Sequence, residues 1–210
     1  MNFTDSKIAE YAESFTSEES GLIQRLLEVS VEKMEHVDML SGRQVGMLLR
    51  LLVQISGAKR VLDIGTFTGY SAMMMADVLP EDGELITIEF NEHYRQVSDL
   101  FLSEPPFDKR IYQIMGNALE IIPRMEGDFD LIFLDADKIN YPKYFQVCKT
   151  KLRKGGLFVI DNVLWGGKVI DQSDEKAKAV HKMNEMIRED PQTEQVILPV
   201  RDGITILRLK

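Results

Sequence analysis

From residue 60 onward, the chain alternates short apolar runs with longer segments that can form helices. The five runs are RVLDI, ELITIE, IYQIM, FDLIFLD and LFVID, and all are rich in Val, Ile, Leu and Phe. Near-continuous apolar strands separated by helices are typical of a parallel sheet that is covered on both faces. The pattern therefore predicts an α/β fold.

Two further apolar runs near the C-terminus depart from this alternation. The runs TEQVILPV and GITILRLK are joined only by a short turn around Arg201, Asp202 and Gly203. Such a short connection predicts a β-hairpin, and hence an antiparallel edge on the sheet. We therefore expect seven strands, mostly parallel, that end in an antiparallel C-terminal hairpin.

The first 57 residues are predicted to be helical. The segment SEESGLIQRLLEVSVEKM opens on a cap rich in Ser and Glu, and GRQVGMLLRLLVQIS carries apolar residues nearly all round. Helices in this position either wall off the mouth of an active site or pair two subunits. Because no linker interrupts the 210 residues, we expect a single domain over 1–210, with N-terminal helices over 1–57 and an α/β core over 58–210.

Composition and charge narrow the possible partners. No stretch approaches the roughly 20 apolar residues of a membrane span, and the N-terminus has no signal pattern, so a cytoplasmic protein is expected. A net charge of -9 disfavours a broad nucleic-acid surface. The basic run of Lys149, Lys151, Arg153 and Lys154 is interpreted as a solvated helix end, where cations favour the helix dipole.

The strongest local motif is DIGTFTGYS, which runs from Asp63 to Ser71 between a predicted strand and a predicted helix. Glycines at such a turn allow close approach of the backbone to a ligand, and open sheets bind ligands at the carboxyl ends of their strands. A nucleotide-like cofactor is therefore expected here. Phe67 and the Gly-x-x-x-Gly spacing differ from the Gly-x-Gly-x-x-Gly of dinucleotide sites, which argues against a nicotinamide-dependent dehydrogenase.

The ends of the next two strands extend the predicted cofactor site. Glu89 ends the second strand, where a carboxylate can accept hydrogen bonds from both ribose hydroxyls. Gly116, Asn117 and Ala118 follow the third strand and are small and polar enough to lie along an adenine edge.

Oxygen-bearing side chains stand at the ends of the fourth and fifth strands. These are Asp135, Asp161 and Asn162. The tips of adjacent parallel strands lie roughly 5 Å apart, so the three side chains can converge on one ion. Oxygen-only ligation favours Mg²⁺, and Mn²⁺ also fits. The alternative is that these residues only cap helices.

Lys138 follows Asp135 in the same loop and is the candidate general base. A phenol with a pKa of roughly 10 is mostly neutral at pH 7, so methyl transfer to its oxygen needs help in removing the proton. A metal-bound hydroxyl is more acidic, and a buried lysine next to it can accept the proton. The alternative is a solvated lysine. Tyr141, further along the same loop, has no chemistry assigned from the sequence.

Together these motifs resemble the class I methyltransferases, and more closely the metal-dependent catechol and caffeoyl-coenzyme A O-methyltransferase family. The resemblance is carried, in order, by DIGTFTGYSA at 63–72, ITIEFN at 86–91, GNALE at 116–120, FLDADKINY at 133–141 and IDNVLWGG at 160–167. It implies a Rossmann-like fold, S-adenosylmethionine as cosubstrate, a divalent metal such as Mg²⁺, and a homodimer.

The resemblance also implies roles for individual residues. Glu89 would hold the ribose, Ser71 and its loop the methionine end, and Met39 would lie near the cofactor. The full predicted cofactor set is Met39, Gly65, Thr66, Phe67, Gly69, Ser71, Glu89, Gly116, Asn117, Ala118 and Asp135. The predicted metal ligands are Asp135, Asp161 and Asn162, and the catalytic base is Lys138.

The expected function is methyl transfer to one oxygen of a metal-chelated vicinal diol, such as a catechol. One alternative keeps the chemistry but takes a hydroxylated nucleoside in tRNA as acceptor, since some bacterial proteins that resemble this family modify tRNA. Another is a cofactor-binding or sensory protein without activity. The presence of Asp135, Lys138, Asp161 and Asn162 argues against that second alternative.

Overall fold

The structure is a computed structural model that describes residues 4–210. Residues 1–3, which belong to the segment predicted to be helical, lie outside the described residues. The described chain divides into an N-terminal unit, Glu10–Ala118, and a C-terminal unit, Leu119–Lys210 with residues 4–9. Within 4–210, no helix combines the length and the apolar content that crossing a membrane requires.

The N-terminal unit contains helices and a three-stranded parallel sheet. Its strands are β1 (Arg60–Ile64), β2 (Glu84–Glu89) and β3 (Ile111–Met115), in the order β3-β2-β1. The helices are α1 (Ser6–Ser14), α2 (Gly21–Lys33), α3 (Gly42–Ser56), α4 (Tyr70–Ala76), α5 (Glu92–Leu102) and α6 (Ala118–Ile121). Helix α1 begins before the first residue of the unit, and α6 continues beyond its last residue. Two 3-10 turns span Val37–Met39 and Phe107–Lys109. Parallel pairing of Ile64 with Ile88 and of Glu89 with Met115 brings the carboxyl ends of the strands to one edge.

Helix α3 is amphipathic rather than apolar on all sides. Val45, Leu49 and Val53 recur every four residues and are buried, whereas Leu51 and Ile55 on the other face are exposed. A spacing of four residues keeps side chains on one face of an α-helix. The prediction of a helix at this position is therefore confirmed, but its apolar residues do not all enter the core.

The C-terminal unit contains a four-stranded mixed sheet. Its strands are β4 (Phe129–Leu134), β5 (Leu152–Asp161), β6 (Thr193–Leu198) and β7 (Ile204–Leu209), in the order β4-β5-β7-β6. The helices are α7 (Tyr141–Lys149) and α8 (Glu175–Glu189), with 3-10 turns at Ile122–Arg124, Lys138–Asn140 and Trp165–Gly167. Strands β4 and β5 are parallel, and β7 is antiparallel to both β5 and β6. The predicted C-terminal hairpin is confirmed.

The basic run near residue 150 is not a helix end throughout. Helix α7 ends at Lys149, but Arg153 and Lys154 already lie in β5. The Arg153 guanidinium donates to the carboxylate of Asp130 on the neighbouring strand β4. The charge of Arg153 is thus satisfied by a cross-strand ion pair, which the run of basic residues alone did not indicate.

The segment before α2 does not cap the helix as predicted. Ser20 makes no side-chain hydrogen bond to the helix. Glu19 is instead buried, and its carboxylate accepts hydrogen bonds from the Tyr70 hydroxyl at 2.9 Å and the Arg43 guanidinium at 3.0 Å. Burial, followed by the charge of Glu19, raises the pKa of Tyr70, so its hydroxyl remains a donor. This network joins the N-terminal helices to the start of α4.

Gly46 on α3 makes room for this network, and we expect Gly46→Ala to destabilise the protein. A Cβ at position 46 would lie 2.6 Å from the Tyr70 hydroxyl, which the bond to Glu19 holds in place. Overpacking of this kind costs about 1–3 kcal/mol, more than the roughly 1 kcal/mol by which alanine improves a helix over glycine. Urea unfolding should show a lower midpoint with an unchanged m-value.

Gly21→Ala is the matched control, because a Cβ at the first residue of α2 meets nothing within 4 Å. That variant should be neutral or slightly more stable. Equal midpoints for the two variants would show that Tyr70 is free to move.

Candidate active site

The loop between β1 and α4 depends on backbone conformations that favour glycine. Gly65 and Gly69 have φ values of 102° and 100°, in the left-handed region. At Gly69, a Cβ would also lie 2.9 Å from the side chain of Leu102. Phe67 adopts a φ of 49° between them, which is uncommon for a residue with a side chain. The loop is thus tightly constrained where the sequence predicted a cofactor.

Glu89, at the end of β2, organises the edge of the N-terminal sheet. Its carboxylate accepts hydrogen bonds from the backbone N–H of Phe67 at 2.8 Å, Phe90 at 2.9 Å and Asn91 at 2.8 Å. Its own carbonyl accepts the N–H of Gly116 at 2.8 Å. The structure therefore brings the predicted residues Phe67, Glu89 and Gly116 together, and Asn117 and Ala118 follow directly, with Ala118 starting α6.

A buried polar network lies beneath the loop. The Asp63 carboxylate, fully buried, accepts from the Ser71 hydroxyl at 3.2 Å and from the Thr87 hydroxyl at 2.7 Å. Thr66 and Thr87 share a hydrogen bond of 2.6 Å between their hydroxyls. Two residues of the predicted cofactor set, Thr66 and Ser71, thus have structural partners. The sequence analysis assigned no chemistry to the side chain of Asp63.

Met39, another residue of this cofactor set, is linked to the loop through Tyr94. The Tyr94 hydroxyl lies 3.9 Å from the Met39 sulfur, and its ring packs edge-on against Phe67 with centroids 4.8 Å apart. Sequence reasoning missed Tyr94. An aromatic residue in the first turn of α5, close after Glu89, was the only available signal.

The C-terminal unit brings the two predicted acids to neighbouring strand ends. Leu134 and Ile160 are paired in the parallel register of β4 and β5, so Asp135 and Asp161 follow at the same edge. Asp161 is almost fully buried. Its burial and the negative charge of Asp135 raise its pKa. Asn162 follows with a φ of 58°, and its N–H donates to the Asp161 carboxylate at 2.7 Å.

Lys138 is buried beside these acids. Its ammonium donates to the Asp135 carboxylate at 2.6 Å and to the Ala136 carbonyl at 3.0 Å. The lysine is only 8% exposed, so the alternative of a solvated lysine does not hold. The alternative that the two acids only cap helices also fails. The cap position of the 3-10 turn after β4 is held by Asp137 and not by Asp135, and Asp161 is the last residue of a strand.

The donor set fits a hard divalent cation. Two carboxylates and one amide supply oxygen only. Burial and then the charge of Asp135 raise the pKa of Asp161, and a bound cation would offset both effects on the carboxylate. Among residues 4–210, no group of three or more His, Cys, Asp or Glu side chains could hold a metal. The sequence prediction takes its third ligand from the amide of Asn162 instead. Asp135, predicted for both the cofactor and the metal, lies in the C-terminal unit with the other metal candidates.

Comparison with known proteins identifies the family. The O-methyltransferase family matches residues 13–210. The chain is 35% identical over 159 residues to the catechol O-methyltransferase of Niastella koreensis, covering 73% of this chain and 72% of that protein. It is 32% identical over 216 residues to the caffeoyl-CoA O-methyltransferase of Medicago sativa, covering 89% and 87%. The chain therefore belongs to the O-methyltransferase family, and the predicted enzyme class is confirmed.

Solved structures of the same class share the fold. The O-methyltransferase TomG of Streptomyces achromogenes, solved with SAM, has a TM-score of 0.88 and 29% identity, with 97% of this chain and 96% of that chain covered. The O-methyltransferase of Bacillus cereus, solved with SAH, has a TM-score of 0.87 and 27% identity, with 97% of each chain covered. The predicted Rossmann-like fold class, mostly parallel with an antiparallel C-terminal hairpin, is confirmed.

We expect Glu89→Gln to loosen the loop after β1. An amide nitrogen cannot accept the backbone N–H groups that now bond to one of the two carboxylate oxygens. Leaving a buried donor unpaired costs about 1–3 kcal/mol. Hydrogen exchange should become faster at the amides of Phe67, Phe90 or Asn91, and the urea midpoint should fall.

Glu92→Gln provides the control, because Glu92 is exposed in the first turn of α5. The free energy of unfolding of this variant should differ from that of the wild type by no more than about 0.5 kcal/mol. Unchanged exchange in Glu89→Gln would mean that the carboxylate does not hold the loop.

Proposed function

We propose that this O-methyltransferase uses S-adenosylmethionine and a divalent metal to methylate one hydroxyl of a vicinal dihydroxy aromatic. The observation that carries this proposal is the group of Asp135 and the buried Lys138 and Asp161, in which a lysine and two acids meet at adjacent strand ends. Relatives named for catechol and caffeoyl-CoA support the acceptor class. Neighbours solved with SAM and SAH support the cosubstrate.

The cosubstrate would bind at the edge of the N-terminal sheet. A carboxylate offers about four acceptor positions, and backbone N–H groups fill three of those on Glu89. One position is then left for a ribose hydroxyl. Gly65, Gly69 and Gly116 allow the backbone to approach the ligand closely. In this proposal, the constrained loop holds the methionine end and the ring of Phe67 lies beside it.

The metal would be held by Asp135, Asp161 and Asn162. When bound there, such a cation stabilises the deprotonated oxygen of a coordinated hydroxyl and lowers the pKa of that hydroxyl. The two carboxylates would also offset the positive charge that the metal and the sulfonium bring to the acceptor site. Binding both reactants in a fixed orientation would supply much of the rate enhancement.

Lys138 would accept the proton of the reacting hydroxyl. In its neutral form, the Nζ atom takes the proton as the O–H bond breaks. The phenolate oxygen then attacks the methyl carbon, a C–O bond forms, and the C–S bond breaks to leave S-adenosylhomocysteine. Asp135 and the Ala136 carbonyl, which already accept from Lys138, would stabilise the ammonium that results.

Three further expectations from the sequence belong to this proposal. The chain acts as one domain over 1–210, it forms a homodimer, and it works in the cytoplasm. Sedimentation of the purified protein would test the dimer directly.

Lys138→Met should lower kcat about 10²- to 10⁴-fold, because proton transfer loses its acceptor. The cosubstrate affinity should change little, because the groups that Lys138 bonds to are Asp135 and Ala136, not Glu89 or Ser71, which are assigned to the ribose and the methionine end. The measurements are turnover with catechol and Mg²⁺ and titration calorimetry with S-adenosylmethionine. Lys143→Met is the matched control, since Lys143 is exposed on the neighbouring helix α7 and should keep full activity. Full activity of Lys138→Met would rule out its role as base.

Removing divalent cations should abolish turnover with catechol, and Mg²⁺ or Mn²⁺ should restore it. Asp161→Ala should not be restored by either ion at ordinary concentrations, because a ligand is missing. Undiminished turnover in excess EDTA would contradict the metal-dependent mechanism.

The acceptor class can be tested by offering labelled S-adenosylmethionine with a catechol panel and, separately, with total tRNA. Transfer to catechols and none to tRNA is expected, because a net charge of -9 disfavours a polyanion. Label in tRNA alone would replace the proposed acceptor with a hydroxylated nucleoside.

A further inference from the structure

Tyr141 touches the candidate site at two points. It is the first residue of α7 and is completely buried. Its hydroxyl donates to the main-chain carbonyl of Asp161 at 3.0 Å. The Lys138 ammonium lies 4.9 Å from the centre of its ring. A single side chain thus contacts both the candidate base and the backbone of a candidate metal ligand.

The hydroxyl contact falls on the peptide that joins Asp161 to Asn162. The carbonyl of this peptide accepts from Tyr141, and its N–H donates to the Asp161 carboxylate. Both polar groups of the peptide are therefore satisfied. Asn162 follows with a φ of 58°, a left-handed conformation that asparagine adopts more readily than most residues other than glycine. The orientation of this peptide sets the directions in which both side chains leave the backbone.

The ring contact constrains a side chain that is otherwise flexible. A lysine side chain has a flexible stem of four carbons, and fixing the bonds of this stem in one conformation costs entropy. The ring of Tyr141 offers a negative face to the ammonium, and such contacts are attractive at this distance. Together with the hydrogen bonds to Asp135 and Ala136, the ring determines where the Lys138 nitrogen lies.

We propose that Tyr141 is a positioning residue for both groups: its ring holds Lys138, and its hydroxyl holds the peptide between Asp161 and Asn162. This inference rests on the proposed function, because it assigns Tyr141 to the same reaction. The two contacts use different parts of the side chain, so their contributions are separable by substitution.

Tyr141→Phe keeps the ring and removes the hydroxyl, whereas Tyr141→Leu removes both. In Tyr141→Phe, the peptide carbonyl loses its donor, and we expect Mn²⁺ binding by titration calorimetry to weaken about fivefold, as for one hydrogen bond. In Tyr141→Leu, the lysine is also displaced, and kcat with catechol should fall about 10²-fold. KM for S-adenosylmethionine should stay within about twofold of the wild-type value in both.

Tyr144→Phe is the matched control. Tyr144 lies on the same helix, is also buried, and donates one hydrogen bond to the Asp137 carboxylate at 2.8 Å. Its removal should cost comparable stability. It should leave Mn²⁺ affinity and kcat within about twofold of wild type, because the Tyr144 hydroxyl donates to Asp137, which is neither a proposed metal ligand nor the proposed base.

The outcomes separate this inference from the function on which it rests. If the wild-type protein has no activity, the proposed reaction is overturned. If that protein still binds Mn²⁺ more tightly than Tyr141→Phe does, the proposed role of the Tyr141 hydroxyl is supported. An active wild type with unchanged kcat and Mn²⁺ affinity in Tyr141→Phe and Tyr141→Leu would overturn the inference. Equal losses in Tyr144→Phe and Tyr141→Phe would also overturn it, by showing that any loosening of α7 suffices. If Tyr141→Leu fails to fold, the inference is tested by Mn²⁺ binding to Tyr141→Phe alone, and an unchanged affinity overturns it.

Discussion

Parallel strand pairing is the constraint on which both clusters of candidate site residues depend. Neighbouring parallel strands end at the same edge, so residues that follow them meet although they are distant in the chain. In the N-terminal unit, this pairing places Glu89 beside the loop after β1 and beside Gly116. In the C-terminal unit, it places Asp135 and Asp161 at one edge. The chemistry is thus built from strand ends, while the strands themselves form the core.

The two clusters satisfy their buried charges in different ways. Glu89 is surrounded by backbone N–H groups, which stabilise a carboxylate without any cation. Asp135 and Asp161 repel each other, and Lys138 compensates only part of that charge. An acidic pair with one lysine retains an attraction for a further cation. This contrast is why we propose that a ribose hydroxyl of the cosubstrate binds at the first cluster and a divalent metal at the second.

Much of the fold and of the site was predictable from short motifs. All seven strands were predicted, because apolar runs bounded by turns mark buried strands, although β5 begins at Leu152, before the predicted run LFVID. The candidates Glu89, Asp135, Lys138 and Asp161 were recognised because each ends such a run or lies in the loop after it. Glu19 and Tyr70 were missed, since 51 residues separate the two partners of their buried hydrogen bond. Tyr94 and Tyr141 were missed because an aromatic residue early in a helix has no pattern that distinguishes it from core.

The sequence by itself determined which residue types stand at the strand ends, and therefore the class of chemistry. Strand alternation and local turn geometry depend on neighbours within a few residues, so they can be read along the chain. Only the tertiary structure decided that Lys138 is buried, that Arg153 pairs across strands, and that Tyr141 reaches both Lys138 and the carbonyl of Asp161. Burial and side-chain direction arise from packing between distant segments, and that packing is what converts a list of polar residues into a site.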